Sequence, residues 1–355
     1  MRKDRVQDIL KEKKLDAILV SDGYNMRYVS GFRGATGYLF VSKGRRVLMT
    51  DSRYTTQAKE EAEGWEIQEV SGGRGYETIL SELIWQEQVS TMGFEDFHLI
   101  YAQVMRLQKA AGKILWVALG DALNRLRILK TPEELEKIEK AEAIGDLAFS
   151  KILEDLRPGM TELQVAAKLD YYMKEAGASG NSFDTIAASG IHSAMPHAMP
   201  SEKKLERGDF LTMDFGCVYD GYCSDMTRTV VIGKADERQK ELYRIVRKAQ
   251  EAALQAIRAG VTGADVDRIS RGLIEEAGYG AYFGHGLGHS VGLYIHEEPR
   301  LSPSCHEALE PTVTVTVEPG IYLPDFGGVR IEDLVVVTED GCRNLTHSPK
   351  ELLEL

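Results

Sequence analysis

The second half of this chain contains itself twice. Arg157, Gly159, Thr161, Val165, Glu175, Ala176 and Gly177 recur 101 positions later as Arg258, Gly260, Thr262, Val266, Glu276, Ala277 and Gly278. Further on, with small gaps, His197-x-x-Pro200 parallels His296-x-x-Pro299, and LERGDFLTMDFG parallels LEPTVTVTVEPG. Loops absorb such changes of offset. RxGxT is partly a helix-start signal, so two amphipathic helices alone would account for the first match. They would not account for the strands falling into register as well. The expected fold is therefore two copies of a helix-plus-strands unit about a pseudo-two-fold axis.

That register carries chemistry. It sets Asp214 opposite Glu318, and it puts Asp225 and Glu332 on the strand that follows in each copy. FLTMDFG, CSDMTRTVVI, TVTVTVEPG and GVRIEDLVVV each read as a strand, rich in Val and Thr with frequent alternation. Each carries an acidic residue within or beside its apolar run. A carboxylate in a half-buried strand is costly unless it is paired or metal-bound. With His289 at the end of GHGLGH, four carboxylates and one imidazole suit a pair of divalent cations. Manganese, cobalt, zinc and iron all accept such ligands, and manganese is favoured here. Two metals a few ångströms apart turn a bound water into hydroxide and clamp a scissile carbonyl. The chemistry this points to is metal-assisted hydrolysis of a peptide bond.

Composition sets the bounds. The 355 residues are enough for two domains and a large core. A net charge of −12 argues against nucleic acid or an anionic membrane as partner. The start, MRKDRVQDILKEKK, is charged throughout, and no apolar run is long enough to span a bilayer, so the expected setting is the cytoplasm. Cys217, Cys223, Cys305 and Cys342 lack zinc or CxxC spacing and read as reduced thiols.

Residues 1–124 read as a separate α/β domain, and 125–355 as an α+β domain holding the repeat. RKDRVQDILKEKKL fits an amphipathic helix and DAILV a strand. GYLFVS and RRVLMT form a hairpin, DSRYTTQAKEEAE a helix with Asp51 or Ser52 near its cap, and WEIQEV another strand. GFRGATG lacks the strand-turn-helix setting of a dinucleotide fingerprint and reads as a turn. At the joint, Thr131 is an N-cap, Pro132 suits the first helical position and Glu134 completes a capping box. Six of the eight histidines fall between His192 and His306.

MDFGCVYDGYCSDMTRT, GHGLGHSVGLYIHEEPRLSP, TVEPGIY and GGVRIED resemble the "pita-bread" metallopeptidase family of aminopeptidase P, prolidase and methionine aminopeptidase. NMRYVSGFRGATGYLFVS and TDSRYTTQA resemble the creatinase-like N-terminal domain of aminopeptidase P and prolidase. The resemblance implies that Asp225 and Glu332 bridge two metals, that Asp214 completes one site, and that His289 with Glu318 completes the other. It makes Glu318 also a general base or proton shuttle. His197 and His296 would flank the substrate, and His285 would line the pocket for the residue after the cut. Arg330, two positions before Glu332, falls on the same strand face and is placed to orient Asp214. HEEPRLSP also resembles a segment of archaeal-type prolidases, which implies that Arg300 meets a dipeptide's C-terminal carboxylate, the alternative being a salt bridge with Glu297 or Glu298. His192, His306 and His347 read as ordinary loop or core residues.

The leading expectation is a peptidase acting on short proline-containing peptides, cutting between the first residue and a following proline as a homodimer. Methionine aminopeptidase shares the five ligands but lacks the large N-terminal domain. A creatinase-like hydrolase shares both domains but not the ligands. A binding protein that kept the fold and lost catalysis is the rival of another class.

Overall fold

The computed structural model describes residues 2–355, with side chains from Arg5 onward. The chain divides into two compact units, one ending at Arg127 and the other spanning Ile128–Leu355. Among the described residues no helix is long and apolar enough to cross a membrane.

The first unit is built on a mixed sheet in the order Glu66–Val70, Arg46–Asp51, Tyr38–Ser42, Ala17–Val20, Thr91–Phe94, Leu115–Ala118. Ala17–Val20 is an apolar run with both faces covered. It pairs antiparallel with Tyr38–Ser42 and parallel with Thr91–Phe94. The hairpin around SKG forms with Leu39 opposite Leu48. One local expectation needs correction. The helix after Asp51 runs Thr55–Glu61, with Tyr54 at its N-cap and no side-chain cap. Asp51 cannot serve it because its carboxylate is taken by Arg53, at 2.8 and 2.9 Å. A helix at Gly23–Ser30, capped by the Asp22 carboxylate, has no counterpart among the sequence expectations. It ends at Gly31, whose φ of 83° is the left-handed C-cap glycine accepts, and the rest of GFRGATG follows as loop.

The second unit repeats its framework. Helix Pro132–Asp155 starts from the Thr131/Glu134 capping box, and helix Glu237–Ala256 holds the same place in the second copy. Next come helices Glu162–Glu175 and Gly263–Glu276. Thr161 and Thr262 cap them by accepting the N–H of the residue three positions on, at 3.2 and 3.1 Å. Each cap satisfies a donor that the first helical turn leaves orphaned, for about 1 kcal/mol. Both helices end at an Ala followed by a glycine of positive φ, Gly177 and Gly278. Before each cap, the N–H of Gly159 or Gly260 donates at 2.9 Å to the carbonyl of Leu205 or Leu309, just ahead of the acid-bearing strands. The RxGxT signal thus ties each helix to its own strand pair.

In the first copy Phe210–Phe215 lies between Ile186–Ser189 and Met226–Val231, all antiparallel, with Asp214 opposite both Ile186 and Thr227. In the second, Thr314–Val317 pairs antiparallel with Asp333–Val337. The copies meet where the Glu332 N–H donates to the Thr227 carbonyl at 3.1 Å and the Arg330 N–H to Thr229 Oγ1 at 3.2 Å. Each has its own core, one around Phe149, Leu169 and Phe215, the other around Val246, Val266 and Val335.

Of the four acid-bearing segments, FLTMDFG forms one unbroken strand as expected, Phe210–Phe215, and the other three do not. CSDMTRTVVI splits into Tyr222–Cys223 and Met226–Val231, leaving Asp225 in the gap. GVRIEDLVVV splits at Ile331–Glu332, and Thr314–Val317 stops one residue before Glu318. Three of the four carboxylates sit where the ladder breaks. There the backbone is free to aim a side chain that regular pleating would send across the sheet.

Candidate active site

All ten residues singled out above line one cavity of about 530 Å³ in the second unit. Asp225, His289 and Glu332 form its tightest group, each offering a ligand atom within 4.8 Å of the others'. His289 Nε2 lies 3.4 Å from Asp225 Oδ2 and 3.5 Å from Glu318 Oε1. Its other nitrogen, Nδ1, is 3.2 Å from the Ser290 carbonyl. A carbonyl only accepts, so Nδ1 carries the hydrogen and Nε2 turns a lone pair toward the acids. Burial first, and His296 second, push the His289 pKa down to about 3, so the ring is neutral at pH 7.

The acids are crowded. Burial, then Glu332, Asp214 and Glu318, push the Asp225 pKa well up, and burial with Glu318 and Asp214 does the same to Glu332. Glu318 rises to about 8, burial outweighing the pull of Arg330. Glu332 Oε2 accepts from Thr227 Oγ1 at 2.6 Å and Glu318 Oε1 from Thr316 Oγ1 at 3.1 Å. Glu332 Oε1 and Asp214 Oδ1, by contrast, are buried and accept no hydrogen bond among the described residues. Orphaned carboxylate oxygens beside a neutral imidazole lone pair form a set of acceptors with no donor. Divalent cations fit that set, because they supply the positive charge it lacks.

Asp214 stands outside the tight group. Its Oδ2 is held at 2.6 Å by Arg330 Nη2. Arg330 is only 3% exposed. It also donates to Thr227 Oγ1 at 3.1 Å, to Tyr322 Oη at 2.8 Å and to the carbonyl of Pro196, next to His197, at 3.3 Å. Tyr322 Oη lies 2.9 Å from His285 Nε2, and His285 Nδ1 lies 2.8 Å from the Gly286 carbonyl. Nδ1 therefore donates, Nε2 accepts from the phenol, and a chain runs from Asp214 through Arg330 and Tyr322 to His285. Burial drives the His285 pKa down to about 4 and that of Tyr322 up to about 12, so both stay neutral.

His296 packs edge-on against His289, ring centres 4.6 Å apart, and burial, then Arg300, lowers its pKa. His197 is exposed on the cavity wall. Arg300 also faces the cavity. Its Nε is 3.4 Å from Glu298 Oε1, and its Nη2 donates at 3.4 Å to the His296 carbonyl. Glu297 instead turns inward to Lys130, at 3.0 Å in a buried ion pair. Of the histidines read as ordinary, His192 pairs with Glu162 and His347 with Asp146.

Sequence reasoning missed Thr227, Thr316, Tyr322 and the Lys130–Glu297 pair. Thr227 and Thr316 were findable: each lies two residues from a candidate ligand. Nothing local marks Lys130, whose partner Glu297 is distant in sequence, and Tyr322 gains its role only when a hairpin brings Arg330 beside it.

Residues 136–339 match the profile of metallopeptidase family M24, and residues 2–129 that of the creatinase/prolidase N-terminal domain. The chain is 39% identical to the Xaa-Pro dipeptidase of Pyrococcus furiosus, over 99% of this chain and all of the other. Among solved structures, an Xaa-Pro dipeptidase from Bacillus anthracis superposes with a TM-score of 0.95 at 41% identity, covering 100% of this chain and 99% of that one. An X-Pro aminopeptidase from Thermotoga maritima reaches 0.91 at 40% identity, covering 96% and 98%.

Proposed function

Because the chain belongs to metallopeptidase family M24, we propose that it hydrolyses the bond between an N-terminal residue and a following proline, with Xaa-Pro dipeptides as preferred substrates. One observation carries the reading. The donor cluster, His197, His285, His296 and Arg300 line a single cavity, in a chain alike over its whole length to proteins named Xaa-Pro dipeptidase.

Asp214, Asp225, His289, Glu318 and Glu332 would hold two divalent ions, Asp225 and Glu332 bridging them, with manganese favoured for so carboxylate-rich a set. The chemistry such ions supply when bound is a nucleophilic water at neutral pH and a polarised scissile carbonyl. Glu318 would take a proton on its carboxylate and return it to the leaving proline nitrogen. His296 and His197, both exposed on the cavity wall, would bond to the scissile carbonyl and steady the tetrahedral carbon. His285, fixed by Tyr322 and Gly286, would pack against the proline ring. Arg300 would take the dipeptide's free carboxylate through its planar fork. The proposal includes a homodimer in the cytoplasm.

A metallated preparation assayed on Xaa-Pro dipeptides against Xaa-Pro-Yaa tripeptides tests this. The carboxylate contact is worth about 1.5–3 kcal/mol, or about 10- to 150-fold in favour of the dipeptide. Arg300→Ala should remove that preference. Equal losses on both substrates would make Arg300 structural. A wild-type preference for the tripeptide would favour the second reading, an aminopeptidase, as the Thermotoga maritima neighbour is named. That reading draws on the Glu298 carboxylate already standing 3.4 Å from Arg300.

A further inference from the structure

Set aside the ligand cluster, and Arg330 with its bonds to Asp214, Tyr322 and Thr227. Two formally charged side chains then remain on the cavity wall among the described residues, Arg300 and Asp184. They belong to opposite copies of the repeat. Arg300 has Glu298 beside it. Asp184 is exposed and makes no hydrogen bond or ion pair among the described residues. Its backbone is nonetheless pinned. Thr185, the next residue, is buried and donates its Oγ1 to Asp170 at 2.5 Å, and Ile186 lies in register with Asp214. Two residues of chain span at most about 7 Å, so the Asp184 backbone stays within that distance of Ile186, the residue paired with Asp214. Apolar side chains line the same cavity: Phe183, Ile186 and Met199, the last 76% exposed.

We propose that Asp184 gives the enzyme a preference for a cationic side chain on the substrate's N-terminal residue, as in Lys-Pro or Arg-Pro. This rests on the reading above. If Arg300, on the second copy's wall, takes the C-terminal carboxylate, the N-terminal residue's side chain lies along the first copy's wall. A lysine or arginine there lays its methylene stem on Phe183, Ile186 and Met199 and brings its charged head to Asp184, the way such side chains divide between apolar and polar surroundings. A carboxylate with no partner of its own gives up no protein contact to receive that head.

The test compares kcat/KM for Lys-Pro with that for norleucyl-Pro, which keeps the stem and lacks the ammonium. An exposed ion pair supports a wild-type ratio of about 1.5- to 5-fold in favour of Lys-Pro. It should fall toward one at about 1 M salt, where screening shortens to about 3 Å. Asp184→Asn should bring the ratio to about one, and Asp184→Lys should push it below one while raising the rate on Glu-Pro relative to norleucyl-Pro. Metal content and thermal midpoint of each variant would establish that the fold is kept. A ratio unchanged in both variants overturns the inference, while turnover of norleucyl-Pro leaves the Xaa-Pro reading intact. Failure of metal-loaded wild type on every Xaa-Pro substrate would remove that reading and the inference with it.

Discussion

The two copies of the repeat share their backbone devices and diverge in their chemistry. Thr161 and Thr262 cap equivalent helices, and Gly159 and Gly260 tie those helices to their strands with bonds of equal length. Asp214 and Glu318 end equivalent strands, and Asp225 and Glu332 follow them at the two ladder breaks. The difference begins two residues before those breaks. The second copy has Arg330, wired to Asp214, Thr227 and Tyr322. The first has Cys223, a buried thiol facing the Leu293 carbonyl. The imidazole of the donor cluster also comes from the second copy alone, while the unpaired wall carboxylate, Asp184, comes from the first. Duplication supplied a symmetric frame for four carboxylates. Binding an unsymmetrical molecule between the copies needs unequal walls, and the inequality was written into side chains that leave the frame untouched.

Breaking the shared carboxylates should have the largest effect. Asp225→Asn, or Glu332→Gln, removes a donor that serves both proposed metal positions. Each should cost more than the roughly 10- to 100-fold in metal affinity typical of losing a supporting residue. Full metal content with full activity in Asp225→Asn, by elemental analysis and assay, would sink the ligand assignment.

The two histidines of the His-x-x-Pro match come next. His197→Ala and His296→Ala should keep their metal and lose about 10²- to 10⁴-fold in rate. Rates within severalfold of wild type would deny them a role, and a collapse of metal content would make one of them a ligand.

The Arg330/Cys223 difference can be sharpened directly. Arg330→Gln should weaken metal binding by about 10- to 100-fold, because Asp214 loses the guanidinium that aims it. Cys223→Ala should leave metal affinity at the wild-type value. Equal effects in competition with a chelator would mean the copies are less different than their contacts imply.

The smallest effect tests the symmetry itself. Thr161→Ala and Thr262→Ala should each cost about 1 kcal/mol, or about 2–4 °C in the thermal midpoint for a domain of this size. Midpoints that differ between the two variants by more than the shift itself would show that the copies do not carry the fold equally.

What the sequence disclosed follows from what is local. Acidic residues in Val- and Thr-rich runs announce themselves, because burial there needs a reason, and the caps at Thr131, Thr161 and Thr262 are spelled out within four residues. The breaks at Asp225 and Glu332 were not legible: alternation continues on paper through a residue that leaves the ladder in space. Asp51 resembles a cap because its competitor, Arg53, acts through a side-chain geometry that letters do not show. Helix Gly23–Ser30 is only eight residues long, too short for its pattern to stand out from a loop. Tyr322 and Thr227 acquire their roles from Arg330 and Glu332, and Thr227 lies more than a hundred residues from both.

The crowding of Asp225, Glu318 and Glu332 makes hydrogen ions the rivals of any metal there. Burial and mutual repulsion raise the pKa of all three, that of Glu318 to about 8, so protons are held more tightly there than on free carboxylates. A cation that enters must expel them. Uptake should therefore acidify a weakly buffered solution, and the heat of binding should track the buffer's ionisation enthalpy. Acid and chelator would then act on this protein as two versions of one reagent, each driving the exchange backwards.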